Sequence, residues 1–357
     1  MRRYSTLIAA FFASLASAQG AQGTQGTQGD YTTKNFKFVS GESLPELRIH
    51  YTTLGTPRRD ARGIVRNAVL IGHGTGGTGR GFLSRNFAGV LFGPGQLLDT
   101  ARYYIILPDD IGHGGSSKPS NGLHAKFPHY DYDDMVKAEY LMLTEGLKVN
   151  HLRLVMGTSM GCMHAWVWGY TYPTFADGLV PLACVPTQIA GRNRMIRTMI
   201  MDDITESPDY NGGEYTVQPH GLRAAIGQLY IMSSAPLVQH KTAPTRDMAD
   251  SVIRKYINDA MKTTDANDML YYFASSRNYD PSTHLDQITA PVLAINSADD
   301  FVNPPELGIA EKLIARVRHA TFVMVPISDQ THGHGTHSWP AVWQNHLKDF
   351  LATLPER

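Results

Sequence analysis

Five residues, Gly157-Thr158-Ser159-Met160-Gly161, constrain this chain more than any other stretch. They join an apolar run, Leu152–Met156, that reads as a buried strand to a run, Met160–Tyr170, with helical periodicity. A serine at such a junction must sit on a sharp turn that holds its hydroxyl out of the backbone. Small residues two positions away on each side let strand and helix approach one another. A bare Gly-x-Ser-x-Gly recurs by chance, but placed between strand and helix it is specific.

The surrounding pattern supplies a sheet for that turn. Ala68–Ile71, Tyr103–Leu107, Leu152–Met156, Leu179–Ala183, Val292–Ile295 and Thr321–Val325 are short apolar runs of the kind that form parallel strands buried on both faces. Helical patterns such as Asp134–Leu147 separate them, which predicts an α/β fold with a mostly parallel, doubly wound sheet. Phe36–Val39 and Leu47–Thr53 suggest an antiparallel opening. The rhythm breaks over about 186–288, where Arg192–Ile204, Leu222–Met232, Asp247–Lys262 and Asp268–Ser275 read as helices and no strand is evident. This segment is expected to be a helical lid inserted after the sixth strand, within one catalytic domain over 31–357.

The N-terminus reads as a processing segment. Arg2 and Arg3 precede the apolar run Leu7–Leu15, too short to span a bilayer, and Ala16-Ser17-Ala18 is a small-residue cleavage signal. Residues 1–18 are therefore expected to be a signal peptide and the protein to be secreted. Residues 19–30, built of Gln-Gly and Thr-Gln-Gly repeats, have little to bury and are expected to be a disordered low-complexity linker. No later stretch suits a stable membrane span. Lysine plus arginine number 32 against 32 aspartate plus glutamate, so no basic surplus points to nucleic acid. Cys162 and Cys184 both lie in apolar stretches, where buried thiols are the usual state, and are read as unpaired, with a single bridge between them in an oxidising compartment as the alternative.

A serine hydroxyl needs a base to take its proton, and in folds with this elbow the chain order is serine, acid, histidine. Asp300 is the expected acid, four residues before Pro304, with adjacent Asp299 as the alternative. Beyond the last strand the loop Thr331-His332-Gly333-His334-Gly335-Thr336-His337 offers three imidazoles. His334, flanked by glycines, is the expected base, followed by His332 and His337. Together with His73 and His113 these rings raise the idea of a metal site, but a glycine-loosened loop is a poor scaffold for one, and no metal or other cofactor is expected. The Met160 N–H would face a developing oxyanion. His73-Gly74-Thr75-Gly76-Gly77 ends a strand, and its Thr75 N–H is the expected second donor, with Gly76 close behind. Asp110 precedes the serine and is expected to shape the floor of the site.

Taken together, these residues resemble the homoserine O-acetyltransferase family within the α/β-hydrolase superfamily. The resemblance is carried by Phe92-Gly93-Pro94-Gly95 with Leu98-Asp99-Thr100 and Arg102-Tyr103, by Ser159-Met160-Gly161-Cys162-Met163, by Pro208-Asp209-Tyr210 with Gly212-Gly213, and by Gly333-His334. It implies the α/β-hydrolase fold, Ser159, Asp300 and His334 as a triad, and a homodimer through the lid. It also implies a lid arginine, at Arg194 or Arg197, that binds the substrate carboxylate. The chain departs from that family at Asp110-Ile111-Gly112-His113-Gly114-Gly115-Ser116-Ser117, which is similar to α/β-hydrolases in general. The expected activity is hydrolysis of small-molecule carboxylic esters through an acyl-enzyme. The alternative is O-acyl transfer to an alcohol.

Overall fold

The computed structural model describes residues 26–355, so the expected signal peptide and the start of the linker lie outside it. One eight-stranded sheet runs in the order β1-β2-β4-β3-β5-β6-β7-β8. The strands are β1 (Thr27–Lys37), β2 (Ser43–Leu54), β3 (Ala68–Gly72), β4 (Tyr104–Pro108), β5 (Leu154–Thr158), β6 (Leu179–Leu182), β7 (Val292–Ser297) and β8 (Ala320–Val325). The pairs β1–β2 and β2–β4 are antiparallel, and every other pairing is parallel.

The helices are α1 (Ala88–Leu91), α2 (Tyr132–Leu141), α3 (Met160–Thr171), α4 (Gly191–Thr205), α5 (Gly221–Ser233), α6 (Pro236–Thr242), α7 (Arg246–Ala260), α8 (Ala266–Ala274), α9 (Ile309–Ile314) and α10 (Pro340–Thr353). Alternation along β3 shows how the sheet is covered. Ala68 and Leu70 point into a core shared with α2 and α3, while Val69 and Ile71 point into a second core shared with α1 and α10. Both faces are therefore dry, as the unbroken apolar strands require.

Helices α4 to α8 lie between β6 and β7 and carry a small core of their own, including Ile200, Ile204, Leu222, Ile226, Met269 and Phe273. Helix α6 lies where no helix was anticipated; Pro236 at its first turn and its seven-residue length leave only a weak periodic signal.

Two expectations need correction. Strand β1 begins at Thr27, inside the tract read as linker. Thr27 to Asp30 pair in register with Thr53 to His50 of β2, and the missing side chain of Gly29 is what admits the Tyr51 ring. Backbone pairing with a neighbouring strand thus orders a segment whose own side chains bury little. Cys162 and Cys184 are not free thiols but form a disulfide. Parallel pairing of β5 with β6 brings the start of α3 beside the residues that follow β6, which places the two cysteine Cα atoms 5.9 Å apart.

Candidate active site

Strand β5 runs straight into Ser159, which has φ 53° and ψ −106° and precedes the first turn of α3. A non-glycine residue in the positive-φ region carries strain, and its surroundings must hold it there. The two glycines of the motif supply the room. A methyl at Gly157 would fall 1.9 Å from the Gly161 carbonyl oxygen, and one at Gly161 would fall 2.2 Å from that of Gly72 on β3. The Ser159 amide donates to the Leu182 carbonyl and the Gly161 amide to the His73 carbonyl, both at 2.9 Å, so the turn is fixed from both sides.

The His334 ring lies between Ser159 and Asp300. Its Nε2 is 2.8 Å from Ser159 Oγ, and its Nδ1 is 3.0 Å from Asp300 Oδ2 and 3.1 Å from Oδ1. The Asp300 carboxylate can only accept, so Nδ1 carries the proton and Nε2 is left to accept from the serine hydroxyl. Asp300 is 1% exposed. Its Oδ1 also accepts from the amides of Val302 and Asn303, and its Oδ2 from Asn303 Nδ2. Burial works to raise its pKa, but the His334 ring and the Asn303 donors outweigh burial and hold it below the ordinary aspartate value.

The alternatives take other places. Asp299 accepts from Ser297 Oγ and from the Gly333 amide, and so braces the loop that carries His334. His332 stacks on Trp339 with ring centroids 4.1 Å apart. His337 stands edge-on to His334 at 5.3 Å, and burial and the neighbouring His334 lower its pKa to about 3. The three histidines of this loop therefore point to separate partners and do not converge on one point.

On the other side of Ser159 lies the turn after β3. Gly74 backs onto the serine: a methyl there would sit 3.3 Å from Ser159 Cβ. Thr75 follows, and its hydroxyl is buried with no hydrogen-bond partner. Met160 is the first residue of α3, so its amide has no acceptor within the helix. Beneath this turn the His73 ring donates from Nδ1 to the Gly74 carbonyl and accepts at Nε2 from the Asp110 amide. Asp110 thus lies behind the turn, against the His73 ring.

Two cavities open on Ser159 and His334. The larger, about 630 Å³, is walled by Met163, Ala183, Cys184, Val185, Ile189 and Leu307 among others. The smaller, about 350 Å³, includes Thr75, Phe82, Met232, Phe273 and His337. Arg197 of α4 is one of the residues that line both. It is 3% exposed and donates to Asn193 Oδ1 at 2.9 Å and to Ser276 Oγ at 3.1 Å. Among the described residues no carboxylate pairs with it, so a buried positive charge faces the site without a counter-ion. Arg194 is not among the lining residues and is set near the like charges of Arg277 and Arg197, which, after burial, lower its pKa. Of the two arginines named from the resemblance, only Arg197 reaches the site. Arg192 also lines the larger cavity, lying 3.6 Å over the Phe301 ring, and nothing in the sequence around it marked it out.

Comparison with known proteins agrees with this architecture. Residues 67–326 match the alpha/beta hydrolase fold family. A probable acyltransferase from Methanothermobacter thermautotrophicus is 27% identical over 78% of this chain and 84% of that protein. A homoserine O-acetyltransferase from Methanohalophilus mahii is 26% identical over 75% of this chain, which spans only 60% of that relative's length. Among solved structures, homoserine O-acetyltransferase from Bacillus anthracis superposes with TM-score 0.81 at 19% identity, covering 93% of this chain and 99% of that one. Esterase E22 superposes with TM-score 0.79 at 20% identity, covering 91% and 99%. Acyltransferases and esterases share this backbone almost equally, so the likeness speaks to fold alone. The chain belongs to the α/β-hydrolase fold family, with homoserine O-acetyltransferases among its relatives.

Proposed function

We propose that this protein is a secreted serine hydrolase that cleaves carboxylic esters through an acyl-enzyme on Ser159. The observation that carries the reading is the unbroken hydrogen-bonded line from Ser159 Oγ through His334 to Asp300. As Oγ attacks the ester carbonyl, Nε2 takes its proton, and the Asp300 carboxylate stabilises the imidazolium. The Met160 and Thr75 amides hold the oxyanion, an interaction worth about 10²–10³ in turnover per donor. His334 returns the proton to the leaving alcohol, then deprotonates the water that releases the acid and frees Ser159.

A second reading has its own support. Arg197, buried without a counter-ion between the two cavities, suits a substrate or acceptor that carries a carboxylate. In this reading an alcohol bearing that group replaces water and the protein is an O-acyltransferase. Acyl release from p-nitrophenyl acetate with and without homoserine separates the two. Hydrolysis predicts release indifferent to the acceptor, and transfer predicts an acylated acceptor. Ser159→Ala is expected to abolish both with the fold intact, and full activity in that variant would refute the reading.

Secretion is supported by the Arg2, Leu7–Leu15 and Ala16–Ala18 pattern and by the Cys162–Cys184 disulfide, since such bonds persist in oxidising compartments. Mass spectrometry of the N-terminus tests it: a chain recovered outside the cell should begin at Gln19. No helix among the described residues is long and apolar enough to cross a membrane. A homodimer through the lid is supported by Met195, Met199, Ile231 and Leu237, all more than half exposed on lid helices. Light scattering of the full chain tests it, and a monomer at micromolar concentration would dispose of the dimer.

A further inference from the structure

We propose that Asp110, Glu139 and His164 form a buried structural site for a divalent transition metal, zinc by its donor set. None of the three lines either cavity at Ser159, and each is at most 2% exposed. They come from three elements: the loop after β4, helix α2 and helix α3. One atom of each lies within 4.8 Å of the other two.

The separations distinguish a ligand set from a salt bridge. His164 Nδ1 is 3.5 Å from Glu139 Oε1 and 3.7 Å from Asp110 Oδ2. Charge-assisted hydrogen bonds close to about 2.7–2.9 Å. Ligands at about 2.0–2.1 Å around a tetrahedral zinc stand about 3.3–3.4 Å apart. The observed gaps are too wide for the first and close to the second. Correspondingly, both oxygens of Asp110 and both ring nitrogens of His164 are buried without a hydrogen-bond partner. The outer side of Glu139 is already held, because Trp168 Nε1 donates to its Oε2 at 2.5 Å and leaves Oε1 facing inward.

Charge points the same way. Two carboxylates share this interior, and among the described residues no lysine or arginine pairs with either. The nearby His73 cannot serve as the cation, since its Nδ1 proton is given to Gly74 and its Nε2 lone pair to the Asp110 amide. Unpaired ions in a dry interior cost several kcal/mol each unless neutralised or coordinated. Protons, one on the Asp110–Glu139 pair and one on His164, are the rival occupants; they would balance the charge, but His164 Nδ1 stands 3.5 Å and 3.7 Å from the two carboxylates, wider than a charge-assisted hydrogen bond. Imidazole nitrogen and carboxylate oxygen are both donors that zinc accepts, and three of them leave a fourth position to water. With no opening to the cavities, the ion would enter during folding and staple α2 and α3 to the loop behind the oxyanion turn.

The test needs no activity. The full chain, folded in zinc-containing medium and desalted, is assayed by inductively coupled plasma mass spectrometry. The expected content is about one zinc per chain, retained through dialysis against EDTA and released on denaturation. Wild-type protein refolded with zinc should melt several degrees above protein refolded with EDTA. His164→Gln and Glu139→Gln should each lower the content about tenfold. The proposal fails if folded wild type holds less than about a tenth of an equivalent and melts identically in zinc and EDTA, which would assign the site to protons. It fails equally if folded His164→Gln retains the full content. The wild-type pair decides the matter even if the variants do not fold.

Discussion

From Leu154 to Gly169, all of β5 and most of α3, Ser159 alone is not buried. In the lid, by contrast, α6 and α7 contain no buried residue, and Met195, Val217, Ile231 and Leu237 are each more than half exposed. The serine is thus held by a segment whose side chains are locked on every side, while the helices above it rest on a small core and a few anchors. A strained φ persists only where packing overdetermines it, so the reacting group belongs on the first kind of structure. Residues that choose a substrate can sit on the second, where local opening costs less. Under the proposed function the contrast separates chemistry, assigned to the sheet, from selection, assigned to the lid, and substitutions on each side should break different properties.

The largest effect is expected on the sheet side. Asp300→Asn keeps the shape of the site but removes the carboxylate that fixes the His334 tautomer, and turnover should fall about 10⁴-fold. Circular dichroism and the melting temperature should change little by comparison. If turnover falls less than tenfold, the acid acting on His334 has been misassigned, and Asp299→Asn becomes the next variant to measure.

The disulfide joins the two regions, because Cys162 lies on α3 and Cys184 lies on the chain leading into the lid. Closing a loop across 22 residues should stabilise the fold by about 3 kcal/mol. Replacing both cysteines with alanine should therefore lower the unfolding free energy obtained from chemical denaturation by that amount. Ser159 labelling by a fluorophosphonate should survive, since the elbow's own contacts are untouched. Loss of labelling in a folded double variant would show that the nucleophile depends on the lid's root, and would break the separation.

Arg197→Met probes the lid alone. A charge-assisted hydrogen bond to a substrate carboxylate is worth about 1.5–3 kcal/mol, so KM for a carboxylate-bearing ester should rise about 10- to 100-fold. KM for p-nitrophenyl acetate should stay within about twofold. Because the guanidinium is buried with no counter-ion, its removal should not destabilise the protein by more than about 1 kcal/mol. Equal losses for both esters would give Arg197 a structural role.

How much could be read beforehand follows the same division. Buried strands announce themselves as apolar runs, and the glycines around Ser159 are forced by contacts of their backbones with β3 and α3, so both were legible. Asp300 and His334 followed from chain order and from the loop's glycines. The first residues of β1 were not legible, because their order comes from backbone pairing with β2 and not from their own side chains. The disulfide depends on two strands becoming neighbours, which no local pattern records. Arg197 could be named only beside Arg194, since the choice depends on how α4 is rotated over the sheet. The Asp110–Glu139–His164 cluster is assembled from three elements, and each residue alone looks ordinary.

The smallest predicted effect concerns pH. Burial and the adjacent His334 hold His337 down to about 3, against about 6.5 for an unhindered histidine. At pH 5 the unfolded chain therefore binds a proton at this position and the folded chain does not, so stability falls as pH drops through 6.5 and levels off near 3. Between pH 7 and pH 5 this single site should cost up to about 2 kcal/mol. His337→Gln removes the titration, and its denaturation midpoint should fall less over that interval than the wild type's. The other titrating groups are common to both proteins and cancel in the difference. Parallel pH profiles would mean that the ring is protonated as easily in the fold as out of it. The rigid side of the comparison would then not extend from Ser159 to the far end of the His334 loop.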